Sequence, residues 1–167
     1  CNLDYDNYGC KHYKRKCLMK ADCCGIFVPC RFCHDENMDH KIDRFKTKEM
    51  KCKLCGTEQE VNKECKKCHA IMGEYYCSIC KFWNDDKEQD LFHCDKCGIC
   101  RKGKKEEHFH CEKCNTCLSI SLKNSHRCID NSLKNDCPVC GEDLFTSTIP
   151  VSMLKCGHSL HQECLSK

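Results

Sequence analysis

Cys-x-x-Cys pairs recur through this chain from Cys30/Cys33 to Cys137/Cys140, interleaved with histidines. Residues of these types at this spacing do one kind of chemistry well, which is coordination of a divalent metal. A two-residue gap is poor for closing a structural disulfide within the pair. It is good for setting two thiolates on one tetrahedral ion, and histidine, which adds nothing to a disulfide framework, is a normal third or fourth zinc ligand. Zinc is therefore the expected cofactor, although iron is able to occupy thiolate sites. Four-coordinate sites are closed, so a zinc hydrolase, which needs an open metal position and a general base, is disfavoured.

The composition says why metal is needed. The 167 residues include 24 cysteines and 10 histidines, and 32 % are Asp, Glu, Lys or Arg. The hydrophobic share of 40 % counts the cysteines and falls to roughly a quarter without them, and mean hydropathy is -0.67. So few aliphatic side chains cannot build one large apolar core, and something else must offset the entropy of ordering the backbone. Net charge is +3, too weak by itself to indicate nucleic acid. No apolar run approaches the length of a membrane span and no secretory leader is present. Reduced, metal-loaded thiols imply the nucleus or cytoplasm. A start at Cys1 rather than methionine suggests that the natural N-terminus lies upstream.

The expected fold is a small, metal-dominated zinc-finger array of irregular loops and short β-strands with little helix. Strands are expected at Glu74–Tyr76 and Val151–Leu154, and a helix is expected to begin near His158. Three blocks separate, at residues 5–72, 73–135 and 136–167. The second holds an internal repeat: Cys77, Cys94, Cys111 and Cys128 stand 17 residues apart, and Cys80, Cys97 and Cys114 follow the same step. Cys100 with Cys117, His93 with His110, and Phe92 with Phe109 repeat likewise. Such units are too small for cores of their own, so neighbours and metal must hold them, with each ion tying one repeat to the next. Phe92 and Phe109 are expected to pack beside the metal turns.

The first block runs Cys10-x-His12-Tyr13, Cys23-Cys24, Cys30-x-x-Cys33-His34 and His40, then the knuckles Cys52/Cys55 and Cys65/Cys68. It resembles the CHY zinc finger. These twelve residues would fill three four-coordinate zincs. The four knuckle cysteines are expected to share one ion, and the other groupings stay open. Cys17 is surplus and reads as a buried small hydrophobe ahead of a substitute ligand. His69 reads as a surface residue.

The second block resembles the CTCHY zinc finger, a β-spiral-like repeat. The resemblance implies twelve ligands: Cys77, Cys80, His93, Cys94, Cys97, Cys100, His110, Cys111, Cys114, Cys117, His126 and Cys128. His108 falls outside the pattern and is expected to face solvent. The third block, Cys137-Pro138-Val139-Cys140 then Cys156-x-His158-x-x-His161-x-x-Cys164, is similar to the first six ligands of a RING finger. In the RING cross-brace, Cys137, Cys140, His161 and Cys164 would complete one site. Cys156 and His158 would form half of a second, which implies a partial RING that is partly formed or mobile. The expected load is about seven zincs plus that half-site.

CHY, CTCHY and RING in this order resemble the RING and CHY zinc-finger ubiquitin ligases. That resemblance implies an activity without a catalytic side chain: the RING binds a ubiquitin-conjugating enzyme, with Val139 as a contact, while the other fingers bind a protein substrate. Two alternatives are a non-enzymatic zinc module for protein or nucleic acid and a metal- or redox-handling CHY protein. The cluster Arg101-Lys102-Gly103-Lys104-Lys105 could meet phosphates, but Glu106 and Glu107 follow at once and no aromatics are interleaved with the lysines.

Overall fold

The computed structural model describes residues 8–166, which divide into two compact units at residues 90 and 91. Among the described residues the elements are short strands, 3-10 turns and one α-helix. Among the described residues every cysteine is a free thiol, so no cystine supports the fold.

In the first unit, β1 (Cys17–Lys20), β2 (Phe27–Val28), β3 (Glu49–Cys52) and β4 (Glu58–Glu60) make an antiparallel sheet in the order β2-β1-β3-β4. Alternation fixes which side is buried. Cys17 and Met19 turn inward from β1, and Met50 and Cys52 turn inward from β3. They meet Val28, Cys65, Met72 and Trp83 in a small core built largely on sulfur. Trp83 lies in β6 (Phe82–Asn84), which pairs with β5 (Tyr75–Cys77), and its indole N–H donates to the Asn62 carbonyl at 2.8 Å. The helix α1 (Arg31–Asn37) starts on a metal-type knuckle. Cys30 is its N-cap, and its sulfur accepts the Cys33 N–H at 3.4 Å. Seven residues are too few to show a helical period in the sequence.

The second unit carries the repeat as two equivalent hairpins, β7 (Leu91–Cys94) with β8 (Ile99–Lys102) and β9 (His108–Cys111) with β10 (Thr116–Ser119). Beyond them, β11 (Val151–Met153) pairs with β12 (Ser159–His161). The stretch expected to open a helix at His158 is therefore a strand, followed by a 3-10 turn at Gln162–Cys164. Pairing wins there because it buries Ser159, Leu160 and His161 together. This third block also has an apolar cluster of its own, Leu133, Cys137, Leu144, Leu160 and Cys164.

One local rule shapes the knuckles. In the pairs ending at Cys55, Cys68, Cys80, Cys97, Cys114 and Cys140, the next residue has positive φ: Gly56, His69, Lys81, Gly98, Asn115 and Gly141. That turn closes with an N–H to carbonyl bond, as from Gly56 to Cys52 (2.9 Å) and from Gly141 to Cys137 (2.8 Å). Glycine is the residue this conformation favours. His69, exposed and bonded to Glu64, fills such a turn position, which agrees with its reading as a surface residue.

Cys17 is fully buried, sits opposite Cys52 across β1 and β3, and has its thiol pushed up to about 12 by burial. A thiol so held stays neutral and packs as a small hydrophobe. Cys17→Ala should leave the zinc content of the purified protein unchanged, whereas Cys52→Ala, one strand away, should lower it by about one ion, both read by elemental analysis.

Candidate metal centres

Four ligands about 2.3 Å from a zinc ion, on a tetrahedron, stand about 3.8 Å from one another. The side chains gathered at the knuckles meet that geometry. Cys10, His12, Cys30 and Cys33 converge, with Cys10 and Cys30 Sγ 3.6 Å apart and His12 Nδ1 3.5 Å from both Cys30 and Cys33. Cys23, Cys24, His34 and His40 form a second group, His34 Nε2 lying 3.4 and 3.6 Å from the two sulfurs. Cys52, Cys55, Cys65 and Cys68 form a third, with sulfur pairs at 3.8 and 3.5 Å. The three groups use all twelve residues marked in the first block, and the grouping left open by spacing becomes visible.

The 17-residue step carries over to space. Cys94, Cys97, His110 and Cys117 converge, Cys97 standing 3.6 Å from Cys117 and 3.3 Å from His110 Nδ1. One step on, His126 Nε2 lies 3.3 Å from Cys111 and 3.0 Å from Cys128, with the Cys114 thiol in hydrogen-bonding contact with both sulfurs. In each case a Cys-x-x-Cys pair of one repeat faces ligands of the next. Cys77 and Cys80 form the corresponding knuckle of the first unit, the Cys80 N–H donating to Cys77 Sγ at 3.4 Å. In the second unit His93 Nδ1 lies 3.8 Å from Cys100.

In the third block Cys140 Sγ is 3.3 Å from His161 Nδ1, and Cys164 contacts both Cys137 and Cys140. Cys156 and His158 touch one another. This is the partition that a RING cross-brace requires. Phe109 packs on His126, a member of a ligand group, at a centroid separation of 5.8 Å, while Phe92 packs on His108 at 5.3 Å. His108 differs from its expected exposure. It is half-buried against Phe92, and its Nδ1 sits 2.8 Å from the Lys104 carbonyl, which accepts.

A feature not read from the sequence is how the histidines are held. His12 Nε2 meets Glu36 at 3.2 Å, His34 Nδ1 meets Asp35 at 2.9 Å and His40 Nδ1 meets Asp39 at 2.8 Å. His126 Nδ1 lies 2.7 Å from the Leu122 carbonyl, and His161 Nε2 lies 3.0 Å from Ser147 Oγ. His93 and His110 face Asp95 and Glu112 more loosely, at 3.8 and 3.9 Å. An acceptor on the far ring nitrogen orients the imidazole and makes the near nitrogen a better donor to metal. The signal was available: an acidic residue stands one or two positions from His34, His40, His93 and His110.

The thiols show why a cation fits. The Thr57 hydroxyl and N–H hold Cys55 down to about 6, and the Ile26 N–H holds Cys24 down to about 7. Burial pushes Cys52 and Cys33 up to about 12. Sharing a proton with Cys117 holds Cys97 down to about 4, while Cys117 is driven up by the same contact. One thiolate forms easily in such a group, and like charge and burial oppose the next. A divalent ion removes that opposition.

Against this geometry the comparisons are direct. The CHY zinc finger family matches residues 10–75 and the RING-type zinc-finger family matches residues 137–167. The chain thus carries a CHY zinc finger and a RING-type zinc finger in that order. It is 49 % identical to the E3 ubiquitin-protein ligase SRFP1 of Oryza sativa subsp. japonica, over 94 % of this chain and 61 % of the relative. It is 43 % identical to the E3 ubiquitin-protein ligase RZFP34 of Arabidopsis thaliana, over 95 % of this chain and 57 % of the relative. To the zinc finger protein BRUTUS of Arabidopsis thaliana it is 44 % identical, over 94 % of this chain and 13 % of the relative. The chain thus spans little more than half the length of the first two.

Two outcomes are expected. Zinc binding at Cys52, Cys55, Cys65 and Cys68 must displace the proton of Cys52, so affinity should rise at least about tenfold per pH unit from 7 to 9. Below about 6, protonation of Cys55 should steepen the loss; chelator competition at several pH values reads both. Asp35, which also accepts the Ile42 N–H at 2.9 Å, orients His34. Asp35→Ala should weaken zinc at that site by about 10- to 100-fold in the same competition, with the other sites unchanged.

Proposed function

We propose that the chain works as a RING-type ubiquitin ligase, its third block receiving a ubiquitin-conjugating enzyme and its first two blocks receiving a protein substrate. Zinc supplies structural order at Cys10, His12, Cys23, Cys24, Cys30, Cys33, His34, His40 and the Cys52–Cys68 knuckles. It does the same at Cys94, Cys97, His110, Cys117, Cys111, Cys114, His126 and Cys128. Cys77 and Cys80 match Cys94 and Cys97 by the 17-residue step, and His93 and Cys100 match His110 and Cys117. All four are assigned as ligands on that correspondence. Cys137, Cys140, His161 and Cys164 hold the zinc of the RING-type finger.

The observation that carries this reading is the Cys137–Cys140 knuckle. Val139 stands at its tip with 52 % of its surface exposed, while Cys137 below it is buried and turned by Gly141. An apolar side chain held in water by a rigid metal turn is suited to docking. The relatives named as E3 ubiquitin-protein ligases support the same reading. No nucleophile is required of this chain. A conjugating enzyme brings the thioester, and rate comes from holding thioester and acceptor together. The knuckle sulfurs, committed to metal, stay out of the chemistry. Thiols kept reduced for metal support a nuclear or cytoplasmic location as part of this proposal.

The nucleic-acid alternative loses ground at its own cluster. Arg101 is spent on protein contacts, its guanidinium donating to the Phe145 carbonyl at 2.8 Å and to Thr116 Oγ1 at 3.3 Å.

The test is discharge of a ubiquitin-loaded conjugating enzyme by the full-length protein. Val139→Ala should slow discharge roughly tenfold at unchanged zinc content. Unchanged discharge would remove Val139 from the docking face, and no discharge by the unmutated protein would end the ligase reading.

A further inference from the structure

Arg101 lies in β8, yet its side chain serves the third block. Besides donating to the Phe145 carbonyl, it lies over the Phe145 ring with its guanidinium carbon 4.5 Å from the centroid. Phe145 packs in turn on the apolar cluster of that block. The second guanidinium nitrogen reaches Thr116, fully buried in β10. The same charge faces Cys97, a member of the Cys94, Cys97, His110 and Cys117 group. Two residues past Phe145, Ser147 holds the far nitrogen of His161 at 3.0 Å and accepts the Ile149 N–H at 3.0 Å. Contacts thus run from Cys97 through Arg101 to Phe145, and two residues further along the backbone Ser147 reaches His161.

We propose that Arg101 is a positioning residue that clamps the RING-type finger to the repeat block and couples the two zinc centres it lies between. The planar guanidinium is suited to this, because one group donates to two acceptors while stacking on a ring and facing a thiolate. Lysine keeps the charge but cannot do all of these at once. The clamp fixes where the Val139 knuckle points relative to the repeats, and it holds whether or not that knuckle receives a conjugating enzyme.

The test uses zinc-loaded protein and has no ubiquitin step, so it stands apart from the ligase assay. In Arg101→Lys, amide exchange at Thr146 and Ile149, whose N–H groups donate to Asp143 and Ser147, should rise about tenfold. The Leu91–Lys102 hairpin should keep its protection. Stepwise chelation should strip the RING-type finger first in the variant, where the unmutated protein loses both ions together. Unchanged exchange at the two amides, or an equal rise in the hairpin, would overturn the clamp. If Arg101→Lys loses zinc on purification, Phe145→Leu decides by the same two amides, since it keeps apolar volume and removes the stacked ring. The double variant should be no worse than the worse single one; additive losses would count against a shared contact.

Discussion

Every knuckle in this protein rests on the same balance of charge. Two cysteines held by a tight turn bring their sulfurs within about 4 Å of other donors, a distance at which several thiolates repel one another strongly. Backbone and hydroxyl donors stabilise one thiolate, as Thr57 does for Cys55 and Ile26 for Cys24. The remaining thiols are buried or crowded, like Cys52 and Cys117. A divalent ion converts this frustrated cluster into four attractive contacts. Most of the fold is arranged around that conversion, since the apolar clusters beside it are small: eight buried residues in the first unit and five in the third block.

From this follows a division of labour among side chains. Cysteines bind metal, histidines complete the set, and carboxylates or main-chain carbonyls orient the histidines from behind. Where a group has only thiols, as at Cys52, Cys55, Cys65 and Cys68, the orienting role passes to turn N–H groups and to Thr57. Short strands then place one knuckle beside the next. The β7–β8 and β9–β10 hairpins do this twice with the same register, which is why the repeat survives translation into space.

Much of this was legible in the sequence because ligand type and spacing are dictated by the ion and not by the rest of the chain. The 17-residue step showed the repeats, and the resemblance of the Cys137 to Cys164 pattern to a RING finger implied its partition. What stayed hidden depends on packing between segments distant in sequence. The pairing of Cys10 and His12 with Cys30 and Cys33 needs α1 to fold back, and α1 is too short to announce itself. The strand at Ser159–His161 looked open to helix because its reason is a partner, Val151–Met153, and not its own residues. Arg101 looked like part of a basic loop until Phe145 and Thr116 were found beside it.

The account stands on metal ions ordering the chain where an apolar core does not. Native mass spectrometry of the intact protein, with amide exchange before and after removal of metal, tests that most directly. The expected result is a mass shift of about seven zinc ions and loss of protection throughout when they are removed. A metal-free chain that kept its protection, held by cystines, would contradict it.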